Sequence, residues 1–208
     1  MTKTELRAAI RSKLGDDEFD ATIIDGAVND YIREICTRVE FRFDQAEDTS
    51  LSVATGGTEF TVPTDLRTIK NLYITTANEE GDITNLEMDK NSIRRMRLTT
   101  PQPDGKPGAW CLYNGKIQFG VEADRTYTFE MDYIRTPGTL VNESDEPRIP
   151  RDYQECIVLG GLERVLRTED DYGISSNERI ILSGLEEGLI SNWTLTTGTS
   201  KTRHIRRS

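Results

Sequence analysis

The stretch from Asp20 to Phe43, DATIIDGAVNDYIREICTRVEFRF, decides the fold of this chain. Its apolar residues recur at steps of three and four, which predicts one continuous stripe of about five turns along a helix. The stripe consists of Ile24, Ala27, Val28, Tyr31, Ile35 and Val39. The opposite face carries Asp25, Asp30, Arg33, Glu34 and Arg38. Since a lone helix cannot bury such a stripe, it requires partners elsewhere in the chain or in a neighbouring copy.

Three further helices are predicted near the two ends of the chain. The first covers Thr4 to Leu14, with Thr2 or Thr4 as its cap and Gly15 at its end. Another runs from Pro150 to about Thr168, because a proline is well placed in the first turn of a helix. The last opens at the capping box Ser-Ser-Asn-Glu, which starts at Ser175. Its apolar residues, at steps of four, are Ile181, Leu185, Leu189 and Trp193.

Four glycines interrupt the two C-terminal helices. Each glycine inside a helix costs about 1 kcal/mol relative to alanine, so a compensating interaction is expected. Close approach of another helix, within one subunit or between subunits, is the contact that we predict for them. These helix-contact glycines are Gly160, Gly161, Gly184 and Gly188.

Between the helical segments the pattern changes to the two-residue period of strands. Thr55–Thr58 predicts a hairpin turn that joins strands at Ser50–Ala54 and Glu59–Val62. Asn114-Gly115 predicts a second hairpin, since both turn residues need a positive φ. It joins Ala109–Tyr113 to Lys116–Val121. Other predicted strands are Ile69–Thr75, Ile83–Met88 and Thr126–Ile134. A short helix is predicted at Asp89–Arg97. Asp89 is its expected cap, and Ile93, Met96 and Leu98 are expected to face inward.

These elements predict an α+β fold in which N- and C-terminal segments form a helical bundle around an inserted antiparallel β domain. The expected boundaries are 1–47 and 148–194 for the bundle and 48–147 for the β-rich insertion. Residues 195–208 form an extended C-terminal tail that carries Lys201, Arg203, His204, Arg206 and Arg207. Its polar, aperiodic sequence predicts a tether that becomes ordered only on a partner.

Composition narrows the functional classes. The 208 residues include 36 acidic and 26 basic side chains, a net charge of −10, which argues against broad binding to nucleic acid or anionic membranes. No stretch approaches the roughly 20 apolar residues that span a bilayer, and the N-terminus lacks a secretion signal, so a cytosol-like compartment is expected. Cys36, Cys111 and Cys156 are widely spaced, as is typical of buried free thiols.

The sequence does not indicate an enzyme. Its single histidine, His204, lies in the basic tail, where no scaffold would hold a catalytic arrangement. No HExxH, EF-hand or GxGxxG pattern is present, so no metal site or cofactor is predicted. The acidic runs at Asp16-Asp17 and Glu169–Asp171 are explained by helix ends and solvation.

Two clusters leave alternatives open. Aromatic residues of the β segment could line a carbohydrate or peptide groove, although their strict alternation favours core packing. Arg94-Arg95-Met96-Arg97 could pair with acids of a neighbouring subunit or simply form a solvated helix face. The aromatic set is Trp110, Tyr113, Tyr127, Phe129 and Tyr133.

The order of several motifs resembles the head-to-tail adaptor, or connector, family of tailed bacteriophages. The resemblance covers nearly the whole chain, and the basic tail after Lys201 departs from it. The motifs are Glu40-Phe41-Arg42-Phe43, Phe60–Ile69 (FTVPTDLRTI), Gly105-Lys106-Pro107-Gly108, Tyr133–Pro137 (YIRTP) and Ile149–Tyr153 (IPRDY).

The resemblance implies a virion structural protein that forms a ring, usually dodecameric, between the portal and the tail. Such a ring leaves a central channel through which DNA passes without sequence-specific binding. Its partners would be further copies of the chain, the portal protein and a tail or nozzle protein, with no membrane involved. Assembly would take place in the host cytoplasm.

Three hypotheses follow. The helices from Asp20 and Pro150 form the ring wall, and the β insertion docks the tail. Lys201, Arg203, Arg206 and Arg207 bind portal or subunit carboxylates. The alternatives are a head-closure or tail-terminator protein, a β-type ligand- or receptor-binding module and, through His204, a hydrolase.

Overall fold

The structure, a computed structural model, describes residues 1–99, 103–168 and 174–195. The fold is α+β, and the chain divides into two compact units. The helical unit combines Met1–Asp44 with the chain from Pro137 onward, and the β unit is Gln45–Thr136. Each unit has its own hydrophobic core.

Four helices build the helical unit. They are α1 (Lys3–Leu14), α2 (Ala21–Arg38), α4 (Gln154–Thr168) and α5 (Ser176–Trp193), whereas the short α3 (Lys90–Arg97) belongs to the β unit. α4 is the central helix, because it contacts α1, α2 and α5. It is also buried over most of its surface, from Cys156 to Leu162 without a break. The predicted stripe of α2 is confirmed at Ile24, Val28, Tyr31 and Ile35, all of which are buried.

Local capping signals set the helix ends. The Thr2 hydroxyl caps α1 in a capping box with Glu5, and Gly15 ends the helix at φ +70°. The Ser175 hydroxyl accepts from the amide of Glu178, and the Glu178 carboxylate accepts from the amide of Ser175, so the second capping box is confirmed. Asp20 caps α2 by accepting from the amide of Thr22.

α2 is shorter than predicted. It ends at Arg38, and Val39 is extended, so the helix does not reach Phe43. The fully buried Phe41 stacks on Phe43 at a ring distance of 4.8 Å, and Phe43 lies 6.0 Å from Trp193. Packing of these rings against the end of α5 competes with helix propensity and prevails, as tertiary contacts often do.

The predicted apolar stripe of α5 is only partly right. Ile181 is 53% exposed, whereas Leu182 and Leu189 are buried. Residues four apart drift by about 40° around a helix, so a stripe from residue 181 to residue 193 cannot keep one side to the core throughout. The core therefore takes Leu182 in place of Ile181.

Residues 137–147, which we assigned to the insertion, lie in the helical unit. The amide of Lys3 donates to the carbonyl of Asp145 at 2.8 Å. Leu140 donates its amide to Asn29 Oδ1 at 2.8 Å and accepts from Asn29 Nδ2 at 3.3 Å. These bonds attach the returning segment to α1 and α2.

The β unit contains three small sheets. The strands are β1 (Gln45–Val53), β2 (Glu59–Thr61), β3 (Leu66–Ile74), β4 (Gly81–Asp82), β5 (Asp104–Gly105), β6 (Trp110–Tyr113), β7 (Lys116–Phe119), β8 (Glu122–Ala123) and β9 (Tyr127–Arg135). Their orders are β1-β9-β3-β4 and β2-β7-β6, both antiparallel, and the parallel pair β5-β8. The hairpin between β6 and β7 is confirmed, with φ +51° at Asn114 and +69° at Gly115.

The predicted hairpin at residues 50–62 is wrong. A turn is present, since Gly57 donates its amide to the carbonyl of Ala54 at 2.8 Å and Gly56 has φ +75°. The strands on either side enter different sheets, however, and pair with β9 and β7. The predicted strand Ile83–Met88 is also wrong, because Thr84–Leu86 forms a turn of 3₁₀ helix.

α3 follows its prediction except at its C-terminal end. The Asp89 carboxylate accepts from the amides of Asn91 and Ser92, which caps the helix as expected. Ile93 is buried, but Leu98 is 70% exposed instead of facing inward. Leu98 caps the C-terminus of α3 and lies outside the helical repeat that buries Ile93.

Candidate interaction surfaces

Most of the predicted aromatic set lies in the core of the β unit. Trp110, Tyr127, Phe129 and Tyr133 are buried, which supports the core-packing interpretation for these four residues. The Trp110 indole donates to the carbonyl of Ile83 at 2.7 Å, so its polar atom is also satisfied inside. Tyr113 is 46% exposed and contributes to the surface instead.

The thiols of the chain are buried, and one group of carboxylates lies close together in the β unit. All three cysteines are buried and none of them forms a disulfide, and burial raises the pKa of Cys156 to about 12, which keeps that thiol protonated. Carboxylate oxygens of Glu47, Glu130 and Asp132 lie within 4.8 Å of one another on the sheet surface. Asp132 also accepts from Asn71 at 2.9 Å. His204 lies outside the described residues.

Gly160 and Gly161 lie where α4 meets α1 and α2. A Cβ built on Gly160 would lie 2.2 Å from the ring of Tyr31, and one on Gly161 would lie 3.0 Å from Ile10 Cδ1 and 3.2 Å from Val28 Cγ2. Real Cβ atoms do not approach other heavy atoms as closely as 2.2 Å. A side chain at residue 160 would therefore displace the Tyr31 ring, which packs in the space that the missing Cβ leaves.

Tyr31 also connects three helices through charged neighbours. Its hydroxyl donates to Glu186 Oε1 at 2.8 Å, and Arg38 pairs with Glu186 at 2.9 Å. The Arg164 guanidinium lies 4.9 Å from the Tyr31 ring centroid and, like Arg38, pairs with Glu34. Burial, followed by the neighbouring groups, raises the pKa of Tyr31 above its ordinary range, so it stays a hydrogen-bond donor. The sequence alone did not reveal this network.

The two glycines of α5 differ from each other. A Cβ on Gly188 would lie 3.2 Å from Tyr153 Cε1, inside the helical unit. A Cβ on Gly184 would have no neighbour within 4 Å in the described part of the chain. Ile180 and Ile181, one turn before Gly184, are 70% and 53% exposed. We call Ile180, Ile181 and Gly184 the α5 face.

The basic tail starts next to the end of α2. Thr194 forms an antiparallel bridge with Phe41, and the amide of Leu195 donates to the carbonyl of Glu40 at 2.8 Å. The chain after Glu187 contains no acidic residue. The predicted binding residues Lys201, Arg203, Arg206 and Arg207 lie outside the described residues.

A second exposed surface lies in the β unit, where α3 packs against β6. Residues 86–90 run beside β6, because Glu87 forms a parallel bridge with Trp110 and the Met88 amide donates to the Trp110 carbonyl at 2.7 Å. The Lys90 ammonium lies 3.3 Å from the centroid of the Tyr113 ring. We call the exposed residues here the α3–β6 patch; they are Leu86, Met88, Lys90, Arg94, Arg95 and Tyr113.

The arginines of α3 have different environments. Arg97 is partly buried and donates to the carbonyls of Phe119 and Thr58, both at 2.6 Å, so it fixes α3 onto the sheet. Arg94 and Arg95 are exposed, and neither forms a salt bridge within the described residues. The predicted cluster is therefore divided between one structural arginine and two surface arginines.

A comparison with protein families identifies the kind of protein that carries these surfaces. The sequence model described as SU10 adaptor protein matches residues 1–191. This chain belongs to the SU10 adaptor protein family. The match includes both units and all five helices nearly to the end of α5, but not the basic tail. A search of curated proteins found no match.

Membership establishes the general role of the chain. It is a phage adaptor protein, a structural component of the virion, and the adaptor family implies interaction with phage portal and tail proteins. The family is a structural one and not typically enzymatic. None of the described helices has the length and apolar character required to cross a membrane.

Proposed function

We propose that this chain is a head-to-tail adaptor that forms a ring between the portal and the tail of a tailed phage. The ring would contain twelve copies, the usual number in the family that the sequence resembles. DNA would pass through a central channel. The observation that carries this proposal is the family match across residues 1–191, which covers both units. The net charge of −10 supports it, because an acidic channel would repel phosphates rather than bind them.

The helices that begin at Asp20 and Pro150 would form the ring wall. α2 and α4 meet where the Tyr31 ring and Val28 of α2 pack directly on Gly160 and Gly161, which gives a closely packed pair. The α5 face offers exposed isoleucines beside an open glycine, so another helix could approach its backbone closely. We assign this face to contact with a neighbouring subunit, where helix-contact glycines serve between chains as well as within one.

A bulky side chain at Gly184 tests the α5 face. Gly184→Leu should leave the folded subunit intact, since the site is open, but should block ring formation on the portal protein. Gly26→Leu is a matched control, because Gly26 also lies in a helix with no neighbour of its Cβ position within 4 Å among the described residues. Native mass spectrometry of the portal complex would count bound copies. Full assembly of Gly184→Leu would contradict this assignment.

The basic tail would bind carboxylates of the portal or of an adjacent subunit through Lys201, Arg203, Arg206 and Arg207. Charge-assisted hydrogen bonds from arginine to carboxylate are among the strong polar contacts, and ordering of a tail on binding is common. Truncation after Leu195 should abolish portal binding, and replacing the four residues with glutamine should weaken it. The matched control replaces four exposed arginines elsewhere, namely Arg33, Arg151, Arg167 and Arg179.

The β unit would dock a tail or nozzle protein, and assembly would take place in the host cytoplasm. Burial of Trp110 at 2% exposure weakens the alternative of an aromatic ligand-binding groove. A head-closure or tail-terminator protein differs from an adaptor in the partner that it contacts. Binding to the purified portal protein distinguishes them, because only the adaptor binds it directly.

A further inference from the structure

The α3–β6 patch has the composition of a protein-binding surface. Arginine, tyrosine and methionine are enriched at protein interfaces, and the exposed Leu86 supplies further apolar area. Leu86, Met88 and Tyr113 are each more than 40% exposed, so the patch leaves apolar area in water. Nucleic-acid interfaces are more polar than this. The patch therefore fits a polypeptide better than a phosphate backbone.

The charge of the patch indicates which kind of polypeptide surface it would bind. A cleft of about 240 Å³ is lined by Lys90, Ile93, Arg94, Arg97 and Gln118. Its only apolar lining residue is the buried Ile93, and Lys90 and Arg94 are exposed. Two acids, the exposed Glu87 and Asp89, lie in the same segment, and Asp89 already accepts from two helix amides. The exposed cations Lys90, Arg94 and Arg95 outnumber them, so the patch is basic. A complementary surface would thus carry carboxylates.

The same chain presents such a surface in its helical unit. The loop between α1 and α2 has four acidic residues within five positions, and all four are exposed. None of them forms a salt bridge with a described residue. The Asp16 carboxylate accepts from the amide of Glu18, and the Asp20 carboxylate accepts from the amide of Thr22. Each of these two carboxylates therefore has one local hydrogen bond and further oxygen lone pairs that face solvent. We call Asp16, Asp17, Glu18 and Asp20 the acidic loop.

We propose that the α3–β6 patch of one copy binds the acidic loop of the next copy in the ring. This inference rests on the proposed function and names one subunit contact within it. Two different, complementary surfaces on one chain produce a head-to-tail contact, which propagates and closes into a ring when the rotation between copies allows it. Lys90, Arg94 and Arg95 would face Asp16, Asp17 and Glu18, with the apolar residues of the patch covered at the same contact.

Charge exchange between two variants tests the proposal. The patch variant carries Lys90→Glu, Arg94→Glu and Arg95→Glu, and the loop variant carries Asp16→Lys, Asp17→Lys and Glu18→Lys. Each alone should assemble at least about tenfold more weakly, because like charges then face each other across the contact. An equal mixture should assemble again, because the altered patch of one variant then faces the altered loop of the other, and the native loop of the first faces the native patch of the second. Circular dichroism checks that each variant is folded.

Assembly is measured by sedimentation velocity for the free chain and by native mass spectrometry in the presence of the portal protein. The control variant carries Arg42→Glu, Lys106→Glu and Arg125→Glu, the same charge change on exposed side chains outside the helices assigned to the ring wall. It should assemble as the wild type does. High salt should weaken wild-type assembly, because the contact is charged.

The outcomes separate the two proposals. A wild-type chain that fails to join the portal protein contradicts the proposed function. If the wild type joins the portal protein and each charge variant joins it equally well, this inference alone is overturned. Rescue when both sets of changes are in one chain but not in the mixture would place the pairing within a chain and would also overturn it. A second control mixes the patch variant with a chain that carries Glu47→Lys and Glu130→Lys instead of the loop changes. Rescue by that chain would show that the acidic loop is not the specific partner and would also overturn this inference.

Discussion

The helical unit and the β unit reach closed cores in different ways. The helical unit joins two segments that are separated by 92 residues of sequence, Met1–Asp44 and the chain from Pro137 onward, around a glycine–tyrosine contact. The β unit is one continuous segment whose core is a cluster of Phe60, Phe119 and Phe129. The core of the helical unit therefore depends on the missing side chain at a glycine where helices meet. The core of the β unit depends on the size of its aromatic side chains.

This difference indicates which substitutions each unit tolerates. In the helical unit, adding a methyl group at a helix contact should be harmful, because the interior is already filled. In the β unit, removing a ring should be harmful, because the cavity that remains cannot be filled by small shifts of the strands. Three predictions examine this contrast, from the largest expected effect to the smallest.

The largest effect is expected at Phe129. Its ring is fully buried and lies 5.0 Å from Phe60 and 5.3 Å from Phe119, so Phe129→Ala should cost about 3–5 kcal/mol of unfolding free energy. Hydrogen exchange should show lost protection in β1, β3 and β9 with α4 still protected. Tyr113→Ala, at an exposed ring of the same unit, should leave stability unchanged. Equal loss of protection in α4 would mean that the two units do not unfold separately.

The next effect contrasts two glycines. Gly160→Ala should lower the free energy of unfolding by about 1–3 kcal/mol, since its Cβ would collide with the Tyr31 ring, which Glu186 holds in place. Gly184→Ala should raise it by about 0.5–1 kcal/mol, because the site is open and alanine favours a helix. Urea denaturation measures both. Effects of the same sign would contradict the packing that we describe for α4.

The smallest effect is a pH dependence of the helical unit. Burial alone would raise the pKa of Asp25, but its hydrogen bonds to Arg7 and Lys3 hold that pKa below its usual value. A carboxylate with a lowered pKa stabilises the fold above its unfolded pKa, and this stability is lost as pH falls through the lowered folded value. The helical unit should therefore weaken on acidification below about pH 4.

Asp25→Asn tests this pH dependence directly. The variant should be less stable than the wild type at neutral pH, by under about 1 kcal/mol because such partly exposed pairs contribute little. It should also lose less stability on acidification. Asp30→Asn serves as the control, because Asp30 pairs with Arg33 at the surface with both side chains more than 60% exposed. The measurement is the free energy of unfolding of each variant as a function of pH. If the two variants lose stability equally on acidification, Asp25 is not the source of the pH dependence.

Sequence patterns predicted the local features of both units well. The caps at Thr2, Ser175 and Asp89 and the turn at Asn114-Gly115 were all confirmed. Each of these interactions joins residues at most a few positions apart, so its signal is contained in a short window of sequence. The buried stripe of α2 was confirmed for the same reason.

Long-range pairing was not predicted. β1 pairs with β9, so Leu51 lies opposite Phe129, whereas the sequence suggested a hairpin with its immediate successor. Alternation shows that a strand is half-buried but does not identify its neighbour in the sheet. The central position of α4 was missed in the same way, since Gly160 signalled a close contact but not that Tyr31 would fill it.

The candidate surfaces were predicted only in part. The cluster at Arg94–Arg97 was visible in the sequence, but its division into a structural Arg97 and an exposed Arg94 depends on the carbonyls that the sheet presents to α3. The exposure of Leu86, Met88 and Leu112 was missed, because an apolar residue in a strand is expected to face the core. Consecutive apolar residues at Leu112 and Tyr113, just before the Asn-Gly turn, were the available signal.

Electron microscopy of the purified chain mixed with its portal protein tests the central claim most directly. If the chain is a head-to-tail adaptor, the images should show a ring of copies coaxial with the portal, with the helices of the helical unit in its wall and an open channel along the axis. Portal particles that remain bare at saturating concentrations of the chain, or that carry it without a closed ring, would contradict that claim.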